Sequence, residues 1–145
     1  MLEIKRKNFL VLALMVGLLS LPVCVLAHGD VQPQQVDITG LKPLGDTWVD
    51  SNPYSKDDPV AVKIGKIAYN TNCARCHGID AMSGGFSPDL RELPPGEMGD
   101  AWYIEITRAG VYRNGKAYMP AYEGLMQQEA MWAIRTWLQT LPAPE

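Results

Sequence analysis

The chain has 145 residues, 47% of them hydrophobic and 20% charged, with three cysteines, two histidines and a formal net charge of −3. That length leaves room for one small domain once any leader is removed, and the acidic surplus counts against nucleic acid, which needs a basic face.

Residues 1–27 read as an export signal. Lys5, Arg6 and Lys7 make a basic start, Phe9 to Leu19 is an uninterrupted apolar run, and Ser20 and Pro22 break it before Val25-Leu26-Ala27. Small or branched residues there suit cleavage after Ala27. The rival readings are an uncleaved membrane anchor, since Phe9 to Ala27 carries no charge, and a lipid anchor on Cys24, before which Val23 is bulkier than such signals usually carry. Cleavage would leave 118 residues with ten Lys and Arg against fifteen Asp and Glu, a net charge near −5. It would also discard Cys24, leaving Cys73 and Cys76.

Residues 28–58 hold six acids against two bases and show no lasting period. They predict an irregular acidic extension, pinned to the domain by Leu41, Leu44, Trp48 and Tyr54. A helix is expected from Asp58-Pro59, with a capping carboxylate and a proline in the first turn. Val60, Ile64, Ile67 and Ala68 recur along it at helical spacing. Gly78 to Gly99 predicts a loop with at most one turn near Leu90 to Leu93. Asp100 is expected to cap a second helix ended by Gly110, and residues 111–125 to form another loop. The last helix is the clearest: Ala130, Ile134, Trp137, Leu138 and Leu141 share a face and Pro142 stops it. Three helices and long loops make a thin core, which something else must fill.

Cys73-Ala74-Arg75-Cys76-His77 is the C-x-x-C-H pattern of covalent haem attachment. Two thiols about one helical turn apart reach the two vinyl groups on one side of a porphyrin, and the next residue presents its imidazole to the iron. A flat, apolar haem would fill the core. A thioredoxin-like pair wants a strand before it, and a structural zinc site wants four ligands where this chain offers two thiols, His77 and His28. A plain disulfide leaves His77 unexplained. His28, the new amino terminus after cleavage, reads as an exposed end, although such a histidine can chelate copper through its amine and ring.

With His77 on one side of the iron, a thioether is the natural second ligand. Met82 is too close to His77 to pass round, and Met126 and Met131 belong with the last helix. Met98 and Met119 both fall in expected loops. Met119 is preferred because Pro120 stiffens its segment and Tyr118 and Tyr122 flank it. Met98 and an open position stay as alternatives.

Gly65, Tyr69, Cys73, Cys76 and His77, then Gly85 to Leu90, then Met119-Pro120, then Trp137 on the last helix, together resemble a class I c-type cytochrome over residues 59–141. The resemblance implies an all-α fold, with three main helices and long loops around one covalently bound haem c, in a domain spanning 59–145. It also implies that Gly65 lets the first and last helices cross closely, that Tyr69 and Trp137 pack at the crossing, and that the Pro88 carbonyl accepts a hydrogen bond from His77. The iron ligands would be His77 and Met119. Over nearly the whole exported chain the sequence is similar to small periplasmic cytochromes that accept electrons from pyrroloquinoline-quinone (PQQ) alcohol dehydrogenases. That implies a periplasmic one-electron carrier with a quinoprotein dehydrogenase as donor, an oxidase or another cytochrome as acceptor, and no stable membrane insertion. The alternatives are a haem enzyme or gas sensor with an open or labile sixth position, and a membrane-tethered redox subunit of a larger complex.

Overall fold

The computed structural model describes residues 32–144. The expected signal peptide, its cleavage point and His28 lie outside the described residues.

Residues 32–58 contain no helix or strand. The first helix, α1 (Pro59–Asn72), begins where Asp58 accepts hydrogen bonds from the amides of Val60 and Ala61, at 2.9 and 3.2 Å, with Pro59 at its first position. Its buried stripe is Ala61, Ile64, Gly65, Ala68 and Tyr69. Val60 and Ile67, expected to share the apolar face, are exposed instead. The reason is size: a stripe containing two alanines and a glycine lets a neighbouring helix come closer than one built on branched side chains.

A four-residue helix, α2 (Ala74–His77), follows at once, and short 3₁₀ turns occupy Ile79–Ala81 and Leu90–Glu92. Helix α3 (Glu97–Ala109) starts three residues before the expected cap. Gly96 occupies the cap position and Asp100 lies inside the first turn, buried, with its carboxylate turned to the interior. There it accepts from Arg135 Nε at 2.7 Å and from the Asn52 amide at 3.0 Å. A buried partner for a buried guanidinium outweighs the lesser gain from capping an exposed helix end.

Residues 111–119, expected as loop, form a hairpin of β1 (Val111–Arg113) and β2 (Lys116–Met119), antiparallel with an irregularity between Val111 and Tyr112. Asn114 and Gly115 make the turn, both at positive φ (50° and 73°). This is the two-residue turn that Asn-Gly favours, and the dipeptide was the available signal for it.

Helix α4 (Gln128–Leu138) ends with its cap at Gln139, so Leu141 lies beyond it. All eleven of its residues are buried, not one face alone. Ala130, Ala133, Ile134 and Trp137 belong to the core, α3 and the residues before it meet Met131, Trp132 and Arg135, and the 32–58 segment covers Gln128, Glu129 and Thr136. That cover is hydrogen-bonded: Leu44 N donates to Glu129 Oε1 at 2.8 Å, Gln128 Nε2 donates to the carbonyls of Gly45 and Thr47, and Asn52 Nδ2 donates to Thr136 Oγ1 at 2.9 Å. Leu41 and Tyr54 are buried, Leu44 and Trp48 partly so, and Tyr54 donates to the Lys42 carbonyl at 2.7 Å. The Arg108 guanidinium lies 4.2 Å above the Trp48 ring. The result is an all-α domain with the class I cytochrome c arrangement: α1 crossed by α4, α3 against α4, and one small hairpin.

Candidate haem site

The crossing of α1 and α4 sets the frame. A Cβ at Gly65 would lie 1.9 Å from the Ala133 carbonyl oxygen, so only glycine permits this approach. Beside it the Tyr69 and Trp137 rings stack at 4.6 Å, tilted by 43°. Tyr69 also donates its hydroxyl hydrogen to the Gly78 carbonyl at 2.8 Å, tying the helix to the residue after His77.

Cys73 receives the end of α1 through its amide, which donates to Tyr69 O at 2.7 Å, and α2 carries Cys76 and His77. The amides of Cys76 and His77 both donate to the Cys73 carbonyl, so the two thiols stand one turn apart. They are half-buried and not joined in a disulfide. Burial, and next the neighbouring Cys76, push the Cys73 thiol up to about 12. A thiol so far from ionising is poorly suited to thiol–disulfide exchange, which runs through the thiolate.

His77 is buried, and its Nδ1 lies 2.9 Å from the Pro88 carbonyl oxygen. A carbonyl can only accept, so Nδ1 carries the proton and Nε2 keeps a free lone pair, the tautomer a metal requires. The loop that delivers Pro88 is itself held: Ser83 donates its hydroxyl to the Ser87 carbonyl, and Asp89 caps the Leu90–Glu92 turn while pairing with Arg91 at 2.6 Å. The hydrogen bonds from Arg91 hold the Asp89 carboxyl below the usual range. Between His77 and this loop the chain turns sharply, with Asp80 and Ala81 both at positive φ (51° and 62°).

Met119 closes β2, half-buried against the core and followed by Pro120. Its segment lies on the end of α3, where Gly110 leaves room: a Cβ there would be 2.6 Å from Met119 O and 2.7 Å from Ala121 N. The Tyr122 and Glu123 amides donate to the Thr107 and Arg108 carbonyls, and Arg108 pairs with Glu123 at 2.9 Å. Met98, expected in a loop, stands on the first turn of α3 and is exposed, whereas Met126 and Met131 are buried in the core. Of the two tyrosines flanking Met119, Tyr118 is exposed, and Tyr122 is buried with its hydroxyl donating to the Asn72 carbonyl at 2.9 Å.

Cys73, Cys76, His77 and Pro88 thus form one hydrogen-bonded group, and Tyr122 links the Met119 segment to the residue just before it. Among the described residues no three His, Cys, Asp or Glu side chains gather as a bare-ion site. Two thiols and an imidazole with a fixed tautomer are the donor set of a covalently attached haem, and the residues present fit that group.

Sequence reasoning did not find Asn72, Tyr122's partner or the Asp100–Arg135 pair. Each depends on hydrogen bonds between residues at least 35 positions apart, which no local pattern encodes.

Residues 60–138 match the family model described as Cytochrome C oxidase, cbb3-type, subunit III. Similar proteins include a cytochrome c550 of Pseudomonas aeruginosa, 48% identical over 143 residues that cover 97% of this chain and 99% of that protein. A quinohemoprotein alcohol dehydrogenase, ADH-IIG of Pseudomonas putida, is 44% identical over 43 residues, 30% of this chain and 6% of that protein. No solved structure gives a significant match. The matched family and the near-complete overlap with a cytochrome c550 agree with the donor set: the chain belongs to the c-type cytochromes and is an electron-transfer protein carrying one covalently bound haem c.

Proposed function

We propose that this cytochrome is a periplasmic carrier that takes single electrons from a PQQ-dependent quinoprotein alcohol dehydrogenase and passes them to a terminal oxidase or another cytochrome. Haem c, when bound, supplies an iron that changes charge by one electron. Cys73 and Cys76 would anchor it through thioether links, and His77 would ligate the iron through Nε2. The carbonyl of Pro88 orients the His77 ring and strengthens it as a donor. Met119 would provide a thioether sulfur as the second ligand, which would favour the ferrous state and so a positive potential relative to bis-histidine haems. With His77 and Met119 both holding the iron, no place would be left for a substrate.

The observation that supports the carrier role is the contact between His77 Nδ1 and the Pro88 carbonyl, which leaves the other nitrogen free to ligate an iron. The stretch similar to a quinohemoprotein alcohol dehydrogenase supports the donor. The matched family description names an oxidase subunit, which fits an oxidase as acceptor. A leader of the composition seen in residues 1–27 supports export, and no helix among the described residues is long and apolar enough to cross a membrane.

The test is to mix the ferric protein with a PQQ alcohol dehydrogenase and alcohol and follow haem reduction. An alcohol surrenders two electrons, so two molecules of carrier should be reduced per alcohol consumed. The rate should fall as salt rises, because the acids of residues 28–58 bias the approach. Absence of reduction at low salt would rule out this donor and leave the cytochrome intact.

A further inference from the structure

We propose that Tyr122 is a positioning residue for Met119, acting through the hydrogen bond from its hydroxyl to the carbonyl of Asn72. This rests on the ligation by Met119 put forward above.

Tyr122 is 3% exposed, and its 2.9 Å bond reaches across 50 residues to the last residue of α1, immediately before Cys73. The acceptor cannot drift. Asn72 Oδ1 accepts from the Gln34 amide at 2.7 Å, and its Nδ2 donates to the carbonyls of Gln34 and Ala68, both at 3.2 Å. The 32–58 segment therefore clamps the very residue whose carbonyl Tyr122 seeks. On the donor side, Tyr122 N donates to Thr107 O at 3.1 Å and Tyr122 O accepts from Met126 N at 2.9 Å. Only Pro120 and Ala121 separate Tyr122 from Met119, and proline fixes one of the torsions between them. Met119 itself is held on the other side by its pairing with Val111. With so little slack, the hydroxyl sets the distance between the segment that brings the sulfur and the helix end that brings the first thioether.

A thioether is a weak neutral ligand, so the iron–sulfur bond persists only as long as the chain holds the sulfur in place. Loss of one buried neutral hydrogen bond should shift competition at the iron about fivefold. Tyr122→Phe removes the oxygen and keeps the ring. The measurement is imidazole binding to the ferric holoprotein, followed by loss of the weak far-red absorption band that a methionine–iron bond produces. Imidazole should bind about fivefold more tightly to Tyr122→Phe than to the parent.

Tyr54→Phe is the matched control. It also loses a buried tyrosine-to-carbonyl bond, to Lys42 at 2.7 Å, but one that involves neither Asn72 nor the chain around Met119. It should lower thermal stability and leave imidazole affinity unchanged. Equal affinity in the parent and Tyr122→Phe overturns the inference while leaving Met119 as ligand. An equal shift in both variants also overturns it, since that means general loosening. A parent without the far-red band, or a band that survives Met119→Ala, removes the ligation itself and the inference with it.

Discussion

At the scale of single residues, the site is governed by proton bookkeeping on one imidazole. The Pro88 carbonyl decides which nitrogen of His77 holds the hydrogen, and that choice leaves the other nitrogen free to ligate. Met119 has no comparable signature, because a thioether neither donates nor titrates. The reading rests instead on Pro120, on the room Gly110 leaves for the Met119 backbone, and on the carbonyls of Thr107 and Arg108 that hold Tyr122 and Glu123 just beyond it. Met119→Ala should abolish the far-red band of the ferric protein, let the ferrous protein take up carbon monoxide, and cost about 2 kcal/mol or more of stability from the lost side chain. Met98→Ala, a change on an exposed first turn of α3, should keep the band and shift stability by less than about 0.5 kcal/mol. Absorption spectra of the two variants check both. The C-x-x-C-H pattern was legible at this scale because it is contiguous. Tyr122's tie to Asn72 was not, since nothing near either residue announces a partner 50 positions away.

Among the helices, the decisive feature is the close crossing of α1 and α4. Helix propensity alone favours Ala over Gly at position 65 by about 1 kcal/mol. The carbonyl of Ala133, 1.9 Å from where that methyl would sit, reverses the sign, because both backbones have to move apart. Gly65→Ala should lower unfolding stability by about 3 kcal/mol and loosen the Tyr69–Trp137 stack, measured by urea denaturation and tryptophan fluorescence. Gly65, Tyr69 and Trp137 were readable in sequence from their spacing within the family pattern. The start of α3 was misplaced because Asp100 is an acceptable cap by type, and only the buried Arg135 shows why it is spent elsewhere. The hairpin was missed for a different reason. Its strands are three and four residues long, too short for alternation to register, although Asn114-Gly115 marks the turn.

For the molecule as a whole, residues 32–58 help make a small helical core viable by covering Gln128, Glu129 and Thr136 of α4. They also bring phenols into the interior. Tyr54, Tyr69, Tyr103 and Tyr122 are buried, and burial raises all four phenols above their ordinary value, to about 12 for Tyr54. The folded chain holds these protons more tightly than the unfolded one. Their contribution to stability is therefore complete below about pH 10, the unfolded value, and is lost as pH rises through the folded values. Urea midpoints should be insensitive to these groups up to about pH 10 and fall beyond it, less steeply in Tyr54→Phe. A midpoint that held steady from pH 10 to 12 would contradict the burial of these hydroxyls. By itself the sequence determined what is local: an acidic chain with a basic and then apolar start, helices at the ends of the domain, paired thiols with an adjacent imidazole, and a proline-backed methionine. Only the tertiary structure decided which carboxylate is buried, which tyrosine reaches the attachment helix, and that the extension wraps α4, because those outcomes depend on surfaces meeting across tens of residues, where complementary shape and unsatisfied hydrogen-bonding groups choose the partner.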